Sequence, residues 1–180
     1  MSAVSHINLF PIGDVETGAA GTDLANNLGM EIHMPDGKKF RLVRFNGAAG
    51  LTSVAGRAFM YSSAVAATNL YDVTPVTGTA SRCCGVAPTA VTGFDISSQV
   101  DLTDNDLFWV QFDGRAEVVQ GDDGNTITAG NFVGPSADAD TGKVDTTTTT
   151  YTNGTTIGRA LETTAADGAT PLLELDNLKG

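Results

Sequence analysis

DLFWVQFDGRAEVV, residues 106–119, carries the strongest strand signal in the chain and holds its only tryptophan. Aromatic and β-branched residues of this kind favour a pleated strand. Phe108, Val110 and Phe112 share one face of such a strand, while Trp109 points to the other because successive side chains alternate. We therefore expect apolar cover on both sides, as on a central strand of a small barrel or sandwich. These four residues form the predicted centre of the core.

Asp113-Gly114, inside the same stretch, separates the aromatic run from Ala116, Val118 and Val119. Two short apolar runs joined by Asp-Gly are a strong local signal for a β-hairpin. The sequence therefore predicts a tight turn at Asp113-Gly114 and a second strand immediately after it.

Short candidate strands lie on both sides of this stretch and are separated by glycine, proline and asparagine. Strands at roughly ten-residue spacing are typical of an all-β barrel or sandwich. A helix over 51–67 competes with one of them, because Leu51, Val54, Ala58 and Val65 keep helical spacing. Gly56 weakens that helix, and we favour a strand. The predicted strands cover residues 38–45, 57–62, 70–74, 143–151 and 171–175.

Two glycine-containing steps occur twice. Residues 55–59, AGRAF, are echoed by residues 129–133, AGNFV, and residues 84–87, CGVA, by residues 157–161, IGRAL. Gly56 and Gly130 permit the positive φ of a turn that delivers a strand, and Gly158 marks a close backbone approach. This pattern predicts two related β-units about 74 positions apart. Chance similarity between short segments is the alternative.

The 180 residues are enough for one packed core with an arm and too few for two large domains. We divide the chain into an extended N-terminal arm or edge segment, residues 1–37, and an all-β domain, residues 38–180. The first segment carries a short apolar patch interrupted by Pro11. An arm that orders against a neighbour, a frayed end and a first edge strand are all open interpretations. The patch consists of Ile7, Leu9, Phe10 and Ile12.

The formal net charge of −11 argues against a nucleic-acid partner, because phosphate binding needs a basic surface. Residues 1–100 carry six basic and seven acidic side chains, and residues 101–180 carry four and fourteen. One interpretation of this acidic excess is that it keeps the protein soluble. The other is a molecule with a near-neutral docking side and an acidic outer side. We expect no secretory signal and no membrane helix. Adjacent Cys83 and Cys84 indicate free thiols in a protein made in a reducing cytoplasm.

Residue patterns that carry catalysis are missing from the sequence. His6 and His33 lie in unrelated surroundings, and no metal-ligand or nucleophile motif accompanies either of them. We therefore expect no enzyme activity, no metal and no cofactor. One cation site stays open as an alternative to solvated loop acids, because carboxylate oxygens bind calcium when two loops meet. Its ligands would be Asp122, Asp123, Asp138 and Asp140.

The order of these pieces resembles the head decoration, or cement, proteins of tailed bacteriophages. The resemblance covers roughly residues 40–175 and rests on glycine-punctuated strands, with residues 1–37 outside it. The pieces that carry it are Ala55–Phe59, Cys84–Ala87, Trp109–Gly114, Ile127–Val133, Gly142–Val144 and Ile157–Leu161.

That resemblance implies a barrel-like domain that binds the outer surface of an assembled capsid and stiffens the shell. Its partners would be the major capsid protein and neighbouring copies of the chain, often as a homo-oligomer, within the virion. We expect Ile7, Leu9, Phe10 and Ile12 to dock on the shell or on a neighbouring copy. The alternatives are a carbohydrate-binding or host-attachment module of a virion and a tail or neck component.

Overall fold

The computed structural model describes residues 27–47, 49–52, 54–62, 70–78, 82–89, 101–121, 126–136, 142–148, 155–165 and 168–175. Within these residues it contains ten β-strands and no α-helix. The strands are β1 (Glu31–His33), β2 (Lys39–Phe45), β3 (Ala58–Tyr61), β4 (Asp72–Pro75), β5 (Cys83–Val86), β6 (Leu107–Glu117), β7 (Phe132–Pro135), β8 (Val144–Thr148), β9 (Gly158–Ala160) and β10 (Leu172–Leu175). The prediction of an all-β barrel is confirmed.

Five of these strands match the positions predicted from sequence. They are β2, β3, β4, β8 and β10. The helix alternative over 51–67 is wrong for residues 58–61, which form β3. Residues 63–67 lie outside the described part of the chain.

Strands β2, β4, β3, β5 and β6 follow one another in that order, and the pairing of β6 with β2 closes them into a five-stranded barrel. The β2–β4 pairing is parallel and the other pairings are antiparallel. Closure leaves the barrel without open strand edges along most of its wall. We call this unit the first barrel.

A second barrel starts on the same long strand. Residues 114–117 of β6 pair with β10, and β9, β7 and β8 follow in antiparallel order. A parallel bridge between Gln120 and Val144 closes this ring. The Gly121 amide donates to the Val144 carbonyl at 2.9 Å, and the Val144 amide donates to the Val119 carbonyl at 3.0 Å. Strand β6 therefore serves both barrels.

Both barrels have the same connectivity in chain order. In each, the first strand runs parallel to the third, the second pairs with the third and the fourth, and the fifth pairs with the fourth and the first. The first barrel uses β2, β3, β4, β5 and β6, whereas the second uses residues 114–121, β7, β8, β9 and β10. The repeat expected from the sequence is therefore present as two barrels of one topology.

Strand register agrees between the barrels as well. Phe59 of β3 lies opposite Gly85 of β5, and Val133 of β7 lies opposite Gly158 of β9. The echoed sequence steps place these residues at corresponding positions. The glycine of each pair thus has the same structural setting in both units.

The turns that lead into β3 and β7 also correspond. Gly56 and Gly130 have φ values of +73° and +87°, a backbone region in which glycine avoids the strain of a side chain. Their amides donate to the carbonyls of Ala87 at 2.9 Å and Ala160 at 2.8 Å. Each turn is therefore fixed to the end of the fourth strand of its own barrel.

A third correspondence precedes the last strand of each barrel. The Asn105 amide donates to the Phe45 carbonyl at 2.9 Å, and the Gly168 amide donates to the Gln120 carbonyl at 3.1 Å. Asn105 and Gly168 have φ values of +72° and +71°. The alignment therefore extends beyond the segments in which the two sequences are similar.

The predicted hairpin at Asp113-Gly114 is wrong, because β6 runs without a break through both residues. Gly114 has a φ of +82°, and a Cβ there would lie 3.2 Å from the Gly37 carbonyl oxygen. A bulge in the β2–β6 register lies just before this position, where β6 passes from its pairing with β2 to its pairing with β10. Asp-Gly therefore redirects one strand between two barrels instead of reversing the chain.

The described residues form three apolar clusters, and β6 contributes to all of them. Phe108 and Val110 lie within the first barrel, and Phe112 lies in the cluster of the second barrel and the junction. Trp109 belongs to a third cluster outside the first barrel. Because these four side chains are all buried, the expectation that this strand is covered on both sides is met.

Candidate functional site

The N-terminal segment that the structure describes lies against the outside of the first barrel. We call residues 28–34 the arm seat. The Gly29 amide donates to the Leu42 carbonyl at 2.8 Å, and the Leu42 amide donates to the Met30 carbonyl at 2.9 Å. Side chains of the seat pack over a buried cluster of β2 and β6 residues. The seat contributes Leu28, Met30, Ile32 and Met34, and the barrel contributes Phe40, Leu42, Leu107 and Trp109.

Strand β2 is joined by one ion pair to each strand beside it. Arg41 reaches Glu31 of β1 at 2.7 Å. Arg44 holds Asp72 of β4 through two nitrogens at 2.7 and 2.8 Å. Lys39 reaches Asp113 of β6 at 2.6 Å. Because Asp72 is buried and receives a bidentate guanidinium, this pair is the most fixed of the three.

Arg41 is the most enclosed of these cations. Its side chain lies on the same face of β2 as Val43 and Phe45, at the mouth of the first barrel. The guanidinium donates to the Tyr61 hydroxyl at 2.5 Å and lies 4.4 Å from the centre of the Phe112 ring. Hydrogen bonds and a cation–π contact therefore hold it in one orientation.

A shallow polar cavity of about 490 Å³ opens beside Arg41. Tyr61 and Tyr71 pack edge to face across it, with ring centres 6.3 Å apart. The Tyr71 ring also lies directly on Gly29, where an added Cβ would collide with it. The cavity therefore has one wall from the arm seat and one from the barrel. Its lining consists of Glu31, His33, Lys39, Arg41, Tyr61, Tyr71 and Phe112.

Glu31 links the arm seat to this mouth electrostatically. The hydrogen bond from Arg41 lowers the pKa of the Glu31 carboxyl below its ordinary value. A carboxyl whose folded-state pKa is lowered stabilises the fold at pH values above its unfolded pKa. That contribution is lost as the pH falls through the lowered folded-state pKa.

Replacing Glu31 by glutamine should therefore make unfolding less sensitive to acid. We expect a difference below about 1 kcal/mol between neutral pH and about pH 3, because the Glu31 side chain is 40% exposed. Urea unfolding at both pH values measures it. Glu117→Gln, at an exposed position of β6, is the matched control for the removal of one carboxylate. An unchanged pH dependence in Glu31→Gln would mean that the ion pair does not anchor the seat.

The two cysteines are structural in this fold. Cys83 and Cys84 lie on β5, fully buried and on opposite faces of the strand. Burial raises the pKa of the Cys83 thiol to about 12 and raises the pKa of the Cys84 thiol well above its ordinary value. Because the thiolate is the reactive form, neither thiol is poised for chemistry.

The remaining residues singled out from sequence divide into two groups. Gly56, Gly130 and Gly158 hold turns and strand contacts of the two barrels. His33 lies exposed at the end of β1, 3.5 Å from Glu31. The other group lies outside the described residues and comprises His6, Ile7, Leu9, Phe10, Ile12, Asp122, Asp123, Asp138 and Asp140.

Sequence reasoning did not identify Arg41, Glu31 and Tyr61 as a connected set. One signal was present, because the alternation of β2 places Arg41 on the same face as Val43 and Phe45. A charged residue on an otherwise apolar face indicates the end of a barrel, where the side chain reaches solvent. Its partners come from β1 and β3, and no local pattern identifies them.

Among the described residues, no cluster of three or more His, Cys, Asp or Glu side chains is arranged to hold a metal ion. The same part of the chain contains no helix of the length and hydropathy needed to cross a membrane.

No protein-family model and no curated protein sequence matches this chain. Among solved structures, the chain is similar to the N base of the head fiber gp8.5 in bacteriophage phi29. The sequence identity is 17%, and the TM-score is 0.46. The match covers 78% of this chain and 96% of the other.

Proposed function

We propose that this chain is a structural protein of a phage head that binds the outer surface of the capsid and stabilises the shell. In this proposal it has no catalytic activity and needs no cofactor. Its partners are the major capsid protein and neighbouring copies on the shell. A protein that binds the assembled shell, and not the free subunits, stabilises the shell by mass action. The stabilisation adds up over many copies bound at repeated sites.

The positions of the resembling pieces support the proposal. Ala55–Phe59 and Ile127–Val133 contain the two glycine turns, Cys84–Ala87 contains three of the four residues of β5, and Ile157–Leu161 contains β9. The pieces therefore correspond to the framework of both barrels and not to scattered loops. A rigid framework is what a shell-stiffening protein needs, because its work is mechanical.

The arm seat is the observation that carries the proposal. Residues 28–34 are fixed to the first barrel by hydrogen bonds and apolar packing, so the preceding residues are joined to the barrel at a defined place. Twenty-six residues precede Asn27, and Ile7, Leu9, Phe10 and Ile12 are among them. In our proposal this apolar patch contacts one subunit of the shell while the barrel contacts its neighbour.

Charge indicates which barrel faces the shell. The cations of β2 are each matched by a carboxylate at hydrogen-bonding distance, which leaves the first barrel near neutral. Residues 38–113, which contain the first barrel, carry six acidic and six basic side chains, whereas residues 114–180, which contain the second barrel, carry ten acidic side chains against four basic ones. In our proposal the first barrel and its arm contact the shell, and the acidic barrel points outward, where repulsion keeps particles apart.

Deleting residues 1–20 is the decisive test. We expect the shortened chain to fold normally, because the described contacts begin at Asn27, and to bind purified expanded capsid shells at least about tenfold more weakly, or 1.4 kcal/mol. Cosedimentation with expanded and unexpanded shells measures occupancy, and the full chain should prefer expanded shells.

A matched pair of full-length variants separates the apolar patch from chain length. Ile7→Ser with Leu9→Ser should reproduce the deletion, whereas Ser5→Ala with Asn8→Ala should bind like the unmodified chain. Unchanged occupancy after the deletion would reject the role of the arm, and no binding of the full chain to either shell would reject the proposed function.

A further inference from the structure

The shallow cavity beside Arg41 has no part in the proposed function. Its lining of seven residues, from the arm seat, from β2, β3 and β6 and from the start of β4, belongs entirely to the described part of the chain. Its volume of about 490 Å³ lies within the range of small-molecule sites, about 300–1,000 Å³. The cavity is therefore large enough for a small organic ligand.

The walls of this cavity are held in place by contacts within the protein. Arg41 is fixed by hydrogen bonds to Glu31 and Tyr61. Its guanidinium also lies 4.4 Å from the centre of the Phe112 ring. On the opposite wall, the Tyr71 ring packs edge to face on Tyr61. A ligand meets side chains that have already lost much of their rotamer freedom, which lowers the entropic cost of binding.

Hydrogen-bond donors and acceptors both remain in the cavity. Arg41 uses three of its five N–H groups on Glu31 and Tyr61, which leaves two. The Tyr61 hydroxyl accepts from Arg41 and keeps its own hydrogen as a donor. On Glu31, Oε1 accepts both bonds from Arg41, whereas Oε2 lies 3.5 Å from His33, beyond the usual hydrogen-bond range. A ligand that donates and accepts at neighbouring atoms fits these groups.

Charges in and around the cavity are balanced. Arg41 is paired with Glu31 at 2.7 Å, and Lys39 is paired with Asp113 at 2.6 Å. An anionic ligand would meet cations that already have carboxylate partners, and the Glu31 carboxylate would repel it. A cationic ligand would be repelled by Arg41 and Lys39 in the same way. The electrostatics of the cavity therefore favour a neutral polar ligand.

We propose that this cavity binds one ring of a neutral saccharide. Each hydroxyl group both donates and accepts, so one sugar hydroxyl can donate to Glu31 while its neighbour accepts from Arg41. The carbon-bound hydrogens of the ring form an apolar surface, which the aromatic side chains of Tyr61 and Tyr71 complement. The inference goes beyond the proposed function and does not rest on it, because the purified chain binds or does not bind sugars independently of any shell.

Chemical-shift mapping by NMR on the full isotope-labelled chain tests the proposal. The probes are the methyl glycosides of glucose, galactose, mannose and N-acetylglucosamine, and N-acetyl-aspartate serves as the anionic probe. We expect at least one glycoside to bind with a dissociation constant of about 1–10 mM, as for a shallow site that buries little area. The amides of Glu31, Arg41 and Tyr61 should shift most, and N-acetyl-aspartate should leave them unchanged.

Two conservative variants identify the side chains that bind the sugar. Tyr61→Phe keeps the ring and removes the hydroxyl, and Glu31→Gln keeps the shape and removes the charged acceptor. Each should weaken glycoside binding about three- to tenfold, the effect of one lost hydrogen bond. Glu117→Gln, at an exposed position of β6 outside the cavity lining, should bind like the unmodified chain. Circular dichroism checks that all three variants fold.

Four results would overturn the proposal. The first is that no glycoside of the set binds, and the second is that N-acetyl-aspartate binds instead and shifts the same amides. The third is that glycosides shift only amides remote from the cavity. The fourth is that Tyr61→Phe and Glu31→Gln bind glycosides as tightly as the unmodified chain.

Discussion

Replacing Gly158 by alanine is expected to destabilise the chain by about 3 kcal/mol, an overpacking effect within a closed strand pairing. A Cβ at this position would lie 2.5 Å from the Glu174 carbonyl oxygen and 3.2 Å from the Leu175 Cα. Both atoms belong to the main chain of β10, which is paired with β6 on its other edge. The backbone cannot retreat without opening that pairing, so the collision is not relieved by a rotamer change.

Gly37→Ala is the control that separates this collision from backbone strain. Gly37 has a φ of +89°, and a Cβ added there would meet no atom of the described residues within 4 Å. Alanine there meets only the left-handed backbone penalty of about 1 kcal/mol. Urea unfolding of both variants by circular dichroism measures the difference. Equal destabilisation of the two would show that β9 and β10 do not pack as closely as described.

Trp109→Ala is expected to lower the free energy of unfolding by about 3–5 kcal/mol, the range for a buried aromatic side chain. Trp109 is 1% exposed and belongs to the cluster of β2 and β6 residues against which the arm seat packs. Its removal leaves a cavity on the outside of the first barrel, in the layer beneath the arm seat. The seat should therefore loosen more than the barrel itself.

Hydrogen exchange distinguishes this local loosening from a general loss of stability. In Trp109→Ala the Gly29 and Leu42 amides, which join the seat to β2, should exchange faster than amides inside the second barrel. Phe59→Ala is the matched control, because Phe59 is fully buried inside the first barrel and not under the seat. If both variants raise the exchange rates of the same amides equally, the packing of the arm seat does not depend specifically on Trp109.

The local sequence pattern predicted correctly how the two faces of a strand are buried. The alternation in residues 108–112 correctly indicated a strand covered on both sides, because burial on two faces leaves apolar residues in consecutive positions. Asp113-Gly114 was misread for the opposite reason. A positive φ is needed both in a hairpin and in a strand that changes partners, and only pairing with β2 and β10 distinguishes the two.

The candidate site was harder to predict from the sequence than the strands were. Glu31, Arg41 and Tyr61 come from three strands that the barrel brings together. Periodicity reports how one segment divides between two faces, but it does not report which distant segment lies opposite. The packing of the arm seat on the barrel could therefore not be predicted from periodicity.

The sequence was sufficient to predict five of the ten described strands and the glycine turns, and it indicated two related units, because these depend on local alternation and on backbone conformations open to glycine. Long-range packing was needed to show that the units share β6 and that one of them is covered. Phe40 and Leu42 correspond to Arg115 and Glu117, and the apolar pair lies under the arm seat while the charged pair faces solvent. The physical reason is that cover comes from residues far away in the chain, and each equivalent position carries the side chain that its own surroundings allow.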